Sequence, residues 1–304
     1  MVMRSAKSLV RGWKTAGIGL AVLIVIVLEA QGPGAGWPQE TGQARVDEEM
    51  TKQEKIYRSR GADAPSGYVT DRGLSDYAEL LTSDFCDALS RLGSSDRWLD
   101  IGAGTGQAIM DYYALDNDAA TGKCVHSWSR ARAVAMSIED RRTDTWRQQA
   151  AIFGADRIRY LSGKRLRYYS PAELGTFQII TDVYGGFSYT DDLSGFLGRV
   201  LSLLDTGGVF YTMVQGVHLE SGKDKPDASY QTDLMDRAGR DVKVCSWLKQ
   251  TTCAKVSCES KSDWDSPTEL ISIRKVCSQI SVPPMKLSKY VAGNPPQREF
   301  QIER

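Results

Sequence analysis

The stretch RWLDIGAGTGQAIMDYY, residues 97–113, constrains this chain more than any other. An apolar run ends in Asp100, three alternate glycines follow at Gly102, Gly104 and Gly106, and an apolar-periodic segment resumes at once. That order predicts a buried strand, a tight turn and the start of a helix. Lacking a Cβ, glycine takes backbone angles that other residues avoid and lets another group lie against the main chain. Amides at the head of the following helix face the same side, where the helix dipole favours a carboxylate or phosphate. The turn therefore predicts a ligand site at the carboxyl edge of a sheet strand.

Spacing removes two ligand classes. A Walker loop ends in Gly-Lys-Ser/Thr, whereas Gly106 is followed by Gln107 and Ala108. A dinucleotide loop places its third glycine three residues after the second, and position 107 is Gln; the spacing here is G-x-G-x-G.

The flanking sequence alternates strand and helix signals. RAVAMSIED reads as a second buried strand, and TDTWRQQAAIFG as a helix capped by Thr143 and stopped by Gly154. RIRYLSGKRL is a third strand leading into a loop. TFQIITDVYGGFSY carries the apolar run Phe177 to Thr181 and ends it in Asp182. DDLSGFLGRVLSLLDTGG is a helix closed by Gly207 and Gly208 before the strand VFYTMV. Ahead of the glycine turn, Leu74, Tyr77, Leu80, Leu81, Phe85, Leu89 and Leu92 fall at helical spacing before Gly93 and predict one amphipathic helix. CAKVSCES and TELISIRKVC, separated by KSDWDSP, read as a strand pair. Residues 216–240 read as loop plus helix, and SVPPMKLSKYVAGNPPQREF is a proline-interrupted tail with no element assigned. Such alternation predicts an α/β fold: a Rossmann-like open sheet, mostly parallel with an antiparallel C-terminal strand pair, in three α/β/α layers.

LDIGAGTG resembles the first motif of class I S-adenosylmethionine-dependent methyltransferases, a strand ending in an acid and then G-x-G-x-G. FQIITDVYGGFSY resembles the same family's fourth strand with its acidic end, and LLDTGGVFYTMV its fifth strand with the preceding turn. The motifs occur in order within a core of residues 75–215. The resemblance implies a seven-stranded sheet, S-adenosyl-L-methionine as cofactor, and transfer of a methyl group to an unidentified small-molecule or protein acceptor. Carried over residue by residue, it implies that Asp100, Gly102, Ala103, Gly104 and Gly106 hold the amino acid portion of the cofactor. Asp182 and Tyr184, after the fourth strand, would face cofactor and substrate; as a bare sequence feature, Asp182 reads equally as a cap.

Two positions depart from the family. Its second strand ends in an acid for the ribose hydroxyls, and the natural alignment places Ser137 there. Glu139 or Asp140 takes that role if the strand runs two residues longer. After the third strand, SGKRL offers no acidic or polar partner of the expected kind for adenine. YRSRGADAPSGYVTDRG, residues 57–73, carries Tyr57, Arg58, Arg60, Tyr68 and Arg72. A polar and aromatic segment here closes over the cofactor in the family, which makes Tyr68 a cofactor-packing candidate beside the plain reading of a solvated loop. His218, shortly after the fifth strand, is a candidate substrate-deprotonating base, since imidazole titrates near neutrality; an ordinary surface role is the competing reading. An aminopropyltransferase of the same fold is an alternative, but would carry a GGG-type turn followed by an acid. A non-catalytic, exported or membrane-held member of the fold would explain Ser137.

Composition bounds the partners. Lys plus Arg and Asp plus Glu both number 38, so no electrostatic footprint for nucleic acid exists and a small-molecule substrate is expected. Six cysteines are too few for a disulfide scaffold in 304 residues, and with two histidines in the chain Cys253 and Cys258 meet no zinc spacing. No metal is expected; the cysteines read as buried small hydrophobes, with disulfides open to an exported domain.

Arg4, Lys7, Arg11 and Lys14 precede an uncharged, mostly apolar run at residues 15–28, which Glu29 ends. Residues 1–30 thus follow signal-peptide or membrane-anchor grammar, with a run short of the ~20 residues that span a bilayer. Residues 31–49 read as a flexible linker and 50–304 as the folded domain, its part beyond 216 the less defined. Three localisations stay open: export, membrane association through residues 15–28, or the cytoplasm with Met50 as the start.

Overall fold

The computed structural model describes residues 72–114, 130–220 and 230–303, together with Glu48, Thr51, Lys52, Lys55, Cys124 and Asp224. The signal-like segment, nearly all of the linker and Tyr68 lie outside the described residues. No helix among the described residues is long and apolar enough to cross a membrane.

The main sheet has seven strands: β1 (Arg97–Ile101), β2 (Arg132–Met136), β3 (Ile158–Leu161), β4 (Phe177–Asp182), β5 (Leu204–Gln215), β7 (Ala254–Lys261) and β8 (Thr268–Lys275). Their order is β3-β2-β1-β4-β5-β8-β7. The first five are parallel, β8 runs antiparallel between β5 and β7, and the strand pair expected near the C-terminus forms that edge. Because β1 and β4 are neighbours although they are not consecutive, the strand order reverses there, and the crevice at their carboxyl ends is the natural ligand position.

Parallel strands covered on both faces read as near-continuous apolar runs, as β1, β2 and β4 do. One face of the sheet packs Leu99, Ile101, Val134, Ile180 and Phe210 against α7 (Leu193–Ser202), whose Leu197, Val200 and Leu201 are buried. The other packs Trp98, Ala133, Ala135, Ile179 and Tyr211 against α1 (Leu74–Leu80), α2 (Phe85–Ser90), α3 (Gln107–Tyr113) and α4 (Asp144–Phe153). Thr143 caps α4 by accepting from the Trp146 amide, and Gly154 ends it.

Three expectations are corrected. The single helix foreseen over residues 74–93 is two, α1 and α2, broken at Leu81–Asp84. Thr82 donates its hydroxyl to Asp84 at 2.7 Å, and the Ser83 amide goes to Glu259 at 2.8 Å instead of a helical carbonyl; short polar side chains compete with the helix ladder in this way. The region read as loop plus helix and the unassigned tail together form a second sheet, order β6-β10-β9, from Thr232–Met235, Gln297–Ile302 and Met285–Val291. Finally, the cysteines are not isolated hydrophobes: Cys86–Cys124, Cys245–Cys258 and Cys253–Cys277 are disulfides, so all six are paired.

Candidate cofactor site

Gly102, Gly104 and Gly106 have φ of 75°, 56° and 85°, in the left-handed region. The Gly102 and Ala103 amides both donate to the Met136 carbonyl, at 2.9 and 3.0 Å, which draws the turn onto the end of β2. A Cβ on Gly102 would lie 2.5 Å from the Gly185 Cα, and one on Gly106 would collide with the Trp146 ring. Two of the three bare positions thus admit the protein's own segments. Gly102 still presents an exposed edge and Gly104 is half-buried, while Ala103 and Gly106 are buried.

Ser137 is buried at the end of β2, its amide donating to Leu161 at 3.0 Å. Beyond the ends of both strands the Gly163 amide donates to the Ile138 carbonyl at 2.9 Å. The acid that follows is Glu139. The Tyr160 hydroxyl lies 2.5 Å from the Gly104 carbonyl and 3.3 Å from that of Glu139, so one phenol sets the Glu139 main chain beside the glycine turn. The Glu139 carboxylate is half-buried and accepts from Arg141 at 3.0 Å. Asp140, exposed, is engaged by Arg142 at 2.6 Å and Arg147 at 3.6 Å, and the Arg142 hydrogen bond leads in holding its carboxyl down at about 2.

Asp100 and Asp182 leave opposite faces of the sheet. Asp100 turns toward α1, where it accepts from the Tyr77 hydroxyl at 2.9 Å and from Thr181 Oγ1 at 2.8 Å; Thr181 Oγ1 in turn accepts from Trp98 Nε1 at 2.8 Å. Asp182 accepts from the amides of Gly185 and Phe187, at 2.9 and 3.0 Å, and so caps the four-residue helix α6 (Gly186–Tyr189). Both carboxyls are fully buried, and burial is the main cause that pushes each up to about 7. Neither presents an oxygen to solvent. Tyr184 follows β4 with φ 52°, half-buried, and the Arg72 guanidinium stacks 4.4 Å from its ring centroid.

His218 stands apart from this group. Its Nδ1 lies 3.5 Å from Asp233 and its Nε2 3.4 Å from Asp241, with Tyr230 stacked at 3.7 Å. Asp233 alternates along β6 with buried Thr232 and Leu234, so His218 sits on the outward face of the second sheet. Among the described residues, one group has metal-ligating spacing, Cys245, Cys258 and Glu269, and its two sulfurs are bonded to each other.

The structure thus brings Gly102, Ala103, Gly104, Glu139 and Tyr184 to one edge and places Asp100 and Asp182 beneath it. The residues that organise the site, Tyr77, Trp146, Tyr160 and Thr181, carry no local motif; in sequence they are core aromatics and a strand threonine. An amino acid and nucleoside ligand fits this edge. Bare main chain is open at Gly102, a carboxylate suited to vicinal hydroxyls stands at Glu139, and an aromatic and cationic pair flanks the other side at Tyr184 and Arg72.

No family model and no curated protein matches the chain. Among solved structures it is similar to Haemonchus contortus phosphoethanolamine N-methyltransferase 2 in complex with S-adenosyl-L-methionine, at 11% identity and TM-score 0.44, over 73% of this chain and 59% of that one. It is similar to the N-terminal domain of EvdMO1 with SAH bound, at 9% identity and TM-score 0.41, over 67% and 81%. A rRNA-methylase of Clostridium thermocellum gives 14% identity and TM-score 0.38, over 65% and 96%. The likeness is one of fold.

Proposed function

We propose that this chain is an S-adenosylmethionine-dependent methyltransferase that methylates a small-molecule acceptor. The observation that carries the reading is the left-handed glycine turn at the β1–β4 reversal, with Glu139 held beside it by Tyr160. Gly102, Ala103 and Gly104 would hold the amino acid portion, Glu139 the ribose hydroxyls, and Tyr184 with Arg72 the side nearest the acceptor.

When bound, the cofactor supplies a methyl group already made electrophilic by its sulfonium. The chain's own task is alignment, since reactions of this kind gain most from holding donor and acceptor at about 3–3.5 Å in line. Asp100 and Asp182 serve as braces: one fixes β1 to α1 through Tyr77, the other fixes α6 behind the turn. Calorimetry of the full chain with S-adenosylmethionine and with its demethylated product tests the reading. Binding by the native protein and its loss in a folded Gly104→Val variant are expected; a folded native protein that binds neither compound overturns it.

The domain is further proposed to work in an oxidising compartment. Three disulfides that use all six cysteines support this, because reducing compartments keep thiols free. Thiol labelling of the protein from its native source, without reductant, is expected to find no free thiol; six reactive thiols would refute the placement.

A further inference from the structure

Arg298 lies on β10, in the second sheet, yet its guanidinium is buried and reaches the main sheet's ligand edge. Nη1 donates to the carbonyls of Phe187 and Thr190, both at 2.9 Å, and Nη2 to Thr232 Oγ1 at 2.8 Å; Nε has no hydrogen-bond partner among the described residues. Phe187 and Thr190 belong to α6 and its C-cap. A helix of four residues cannot sustain itself, because nucleation costs more than so few hydrogen bonds return. Its amino end is held by Asp182 and its carboxyl end by Arg298, so side chains from two different sheets grip one turn.

That turn matters for the glycine motif. Gly185, the residue before α6, packs its Cα against Gly102, closely enough that no Cβ fits between them. A shift of α6 would therefore move the wall against which Gly102 rests. An apolar side chain could fill the space of Arg298 but would leave the Phe187 and Thr190 carbonyls without a donor, and burying a guanidinium is worthwhile only where its hydrogen bonds are needed. Burial lowers the pKa of Arg298 to about 10, well above neutrality, with Tyr290 and Asp182 among the groups favouring the charged form.

We infer that Arg298 is a positioning residue. By clamping the carboxyl end of α6 it sets the height of Gly185 beneath Gly102, and thereby the affinity of the glycine turn for the amino acid end of its ligand. The second sheet is then part of the binding apparatus and not an appendage. The last step of this inference rests on the proposed cofactor; the clamp itself does not.

The test uses the full chain with Arg298→Lys and Arg298→Met. S-adenosylhomocysteine affinity is measured by calorimetry, and amide exchange is followed across residues 183–190 and across β1, β2 and β4. Arg298→Met is expected to weaken affinity by tenfold or more and to speed exchange in 183–190 while the strands keep their protection. Arg298→Lys, which keeps the charge but not the fork, is expected to recover part of both effects. Native affinity together with native exchange in Arg298→Met overturns the inference. So does a loss of protection spread evenly over the strands in both variants, since that describes a merely structural role. If the native protein binds no S-adenosylhomocysteine, the proposed cofactor fails, while local exchange in 183–190 still decides whether the clamp exists.

Discussion

Tyr77 of α1 places its hydroxyl 2.9 and 3.0 Å from the two carboxylate oxygens of Asp100, so the first helix is pinned to the strand that carries the glycine turn. Both residues are buried, and the Tyr77 hydroxyl is held well above its ordinary pKa, first by burial and then by the charge of Asp100. Removing the donor leaves a buried carboxyl with Thr181 as its remaining side-chain donor. Tyr77→Phe is therefore expected to cost about 1–3 kcal/mol of stability, the usual toll for a buried polar group that loses its partner. Urea unfolding at neutral pH measures it; a midpoint unchanged at constant slope would mean that the hydrogen bond contributes nothing.

Stability should fall as pH rises through neutrality. Asp100 and Asp182 are pushed up to about 7, and Glu269, on β8, also to about 7, each mainly by burial. In the unfolded chain such groups ionise near pH 4. The folded state thus keeps protons that the unfolded state has released, and the stability this confers is full below about pH 4 and lost as pH climbs to about 7. At about 1.4 kcal/mol per pKa unit for a buried group, the drop is on the order of a few kcal/mol. Asp140 and Glu173, lowered to about 2, have the opposite sign, and their contribution is lost only as pH falls below about 4, outside this window. Calorimetric melting at pH 5 and pH 8 is expected to give the higher Tm at pH 5, and Asp100→Asn to flatten the slope; a Tm that rises toward pH 8 would contradict the burial of these carboxyls as acids.

The ribose end of the proposed site separates two neighbouring acids. Glu139 is half-buried beside the glycine turn and paired with Arg141, whereas Asp140 is exposed and paired with Arg142 and Arg147. Glu139→Gln is expected to weaken S-adenosylhomocysteine binding about tenfold, the size of one charge-assisted hydrogen bond, and Asp140→Asn to leave it unchanged. The reverse ranking by calorimetry would move the ribose contact to Asp140.

What could be read in the sequence follows from the range of the forces involved. The strands β1 to β5 and β8 show because a covered strand needs a local apolar run, the edge strand β7 shows through the turn that joins it to β8, and the glycines show because a left-handed turn needs them in place. The second sheet does not show: β6 is four residues long, and it pairs in parallel with β10, which lies more than sixty positions along the chain. Nor do the partners of the site, since Tyr160 meets Gly104 across 56 residues and Thr181 meets Asp100 across 81. Glu139 was legible only as a condition on strand length, and β2 ends at Met136, so Glu139 stands in the turn beyond the strand, where the Gly163 amide donates to the neighbouring Ile138 carbonyl.

The contact between Gly106 and Trp146 is open to a double-mutant cycle. Gly106→Ala drives a methyl group into the indole and also forces a side chain to φ 85°. Overpacking of this kind costs about 1–3 kcal/mol, and the left-handed backbone roughly 1 kcal/mol more. Trp146→Leu opens the space, so in the double variant only the backbone strain at position 106 remains. The double variant is expected to be more stable than the sum of the singles, by a coupling of about 0.5–3 kcal/mol in denaturant melts. Strict additivity would show that the two residues do not share the space.

The disulfides should differ in what they contribute. Cys245–Cys258 and Cys253–Cys277 close separations of 13 and 24 residues at the antiparallel edge, and Cys86–Cys124 closes 38 across the helices of the opposite layer. A bridge acts mainly by restricting the unfolded chain, more so for a longer loop, and is worth about 2–4 kcal/mol. The pair Cys86→Ala with Cys124→Ala is therefore expected to lower stability most in chain-entropy terms. The two edge bridges share β7 and its flanks, so their losses should not simply add. Mild reduction, followed by mass spectrometry to count the hydrogens gained, is expected to lower Tm in steps as each bridge opens. A Tm that stays level while six thiols become labelled would mean that the α/β core carries the fold without them.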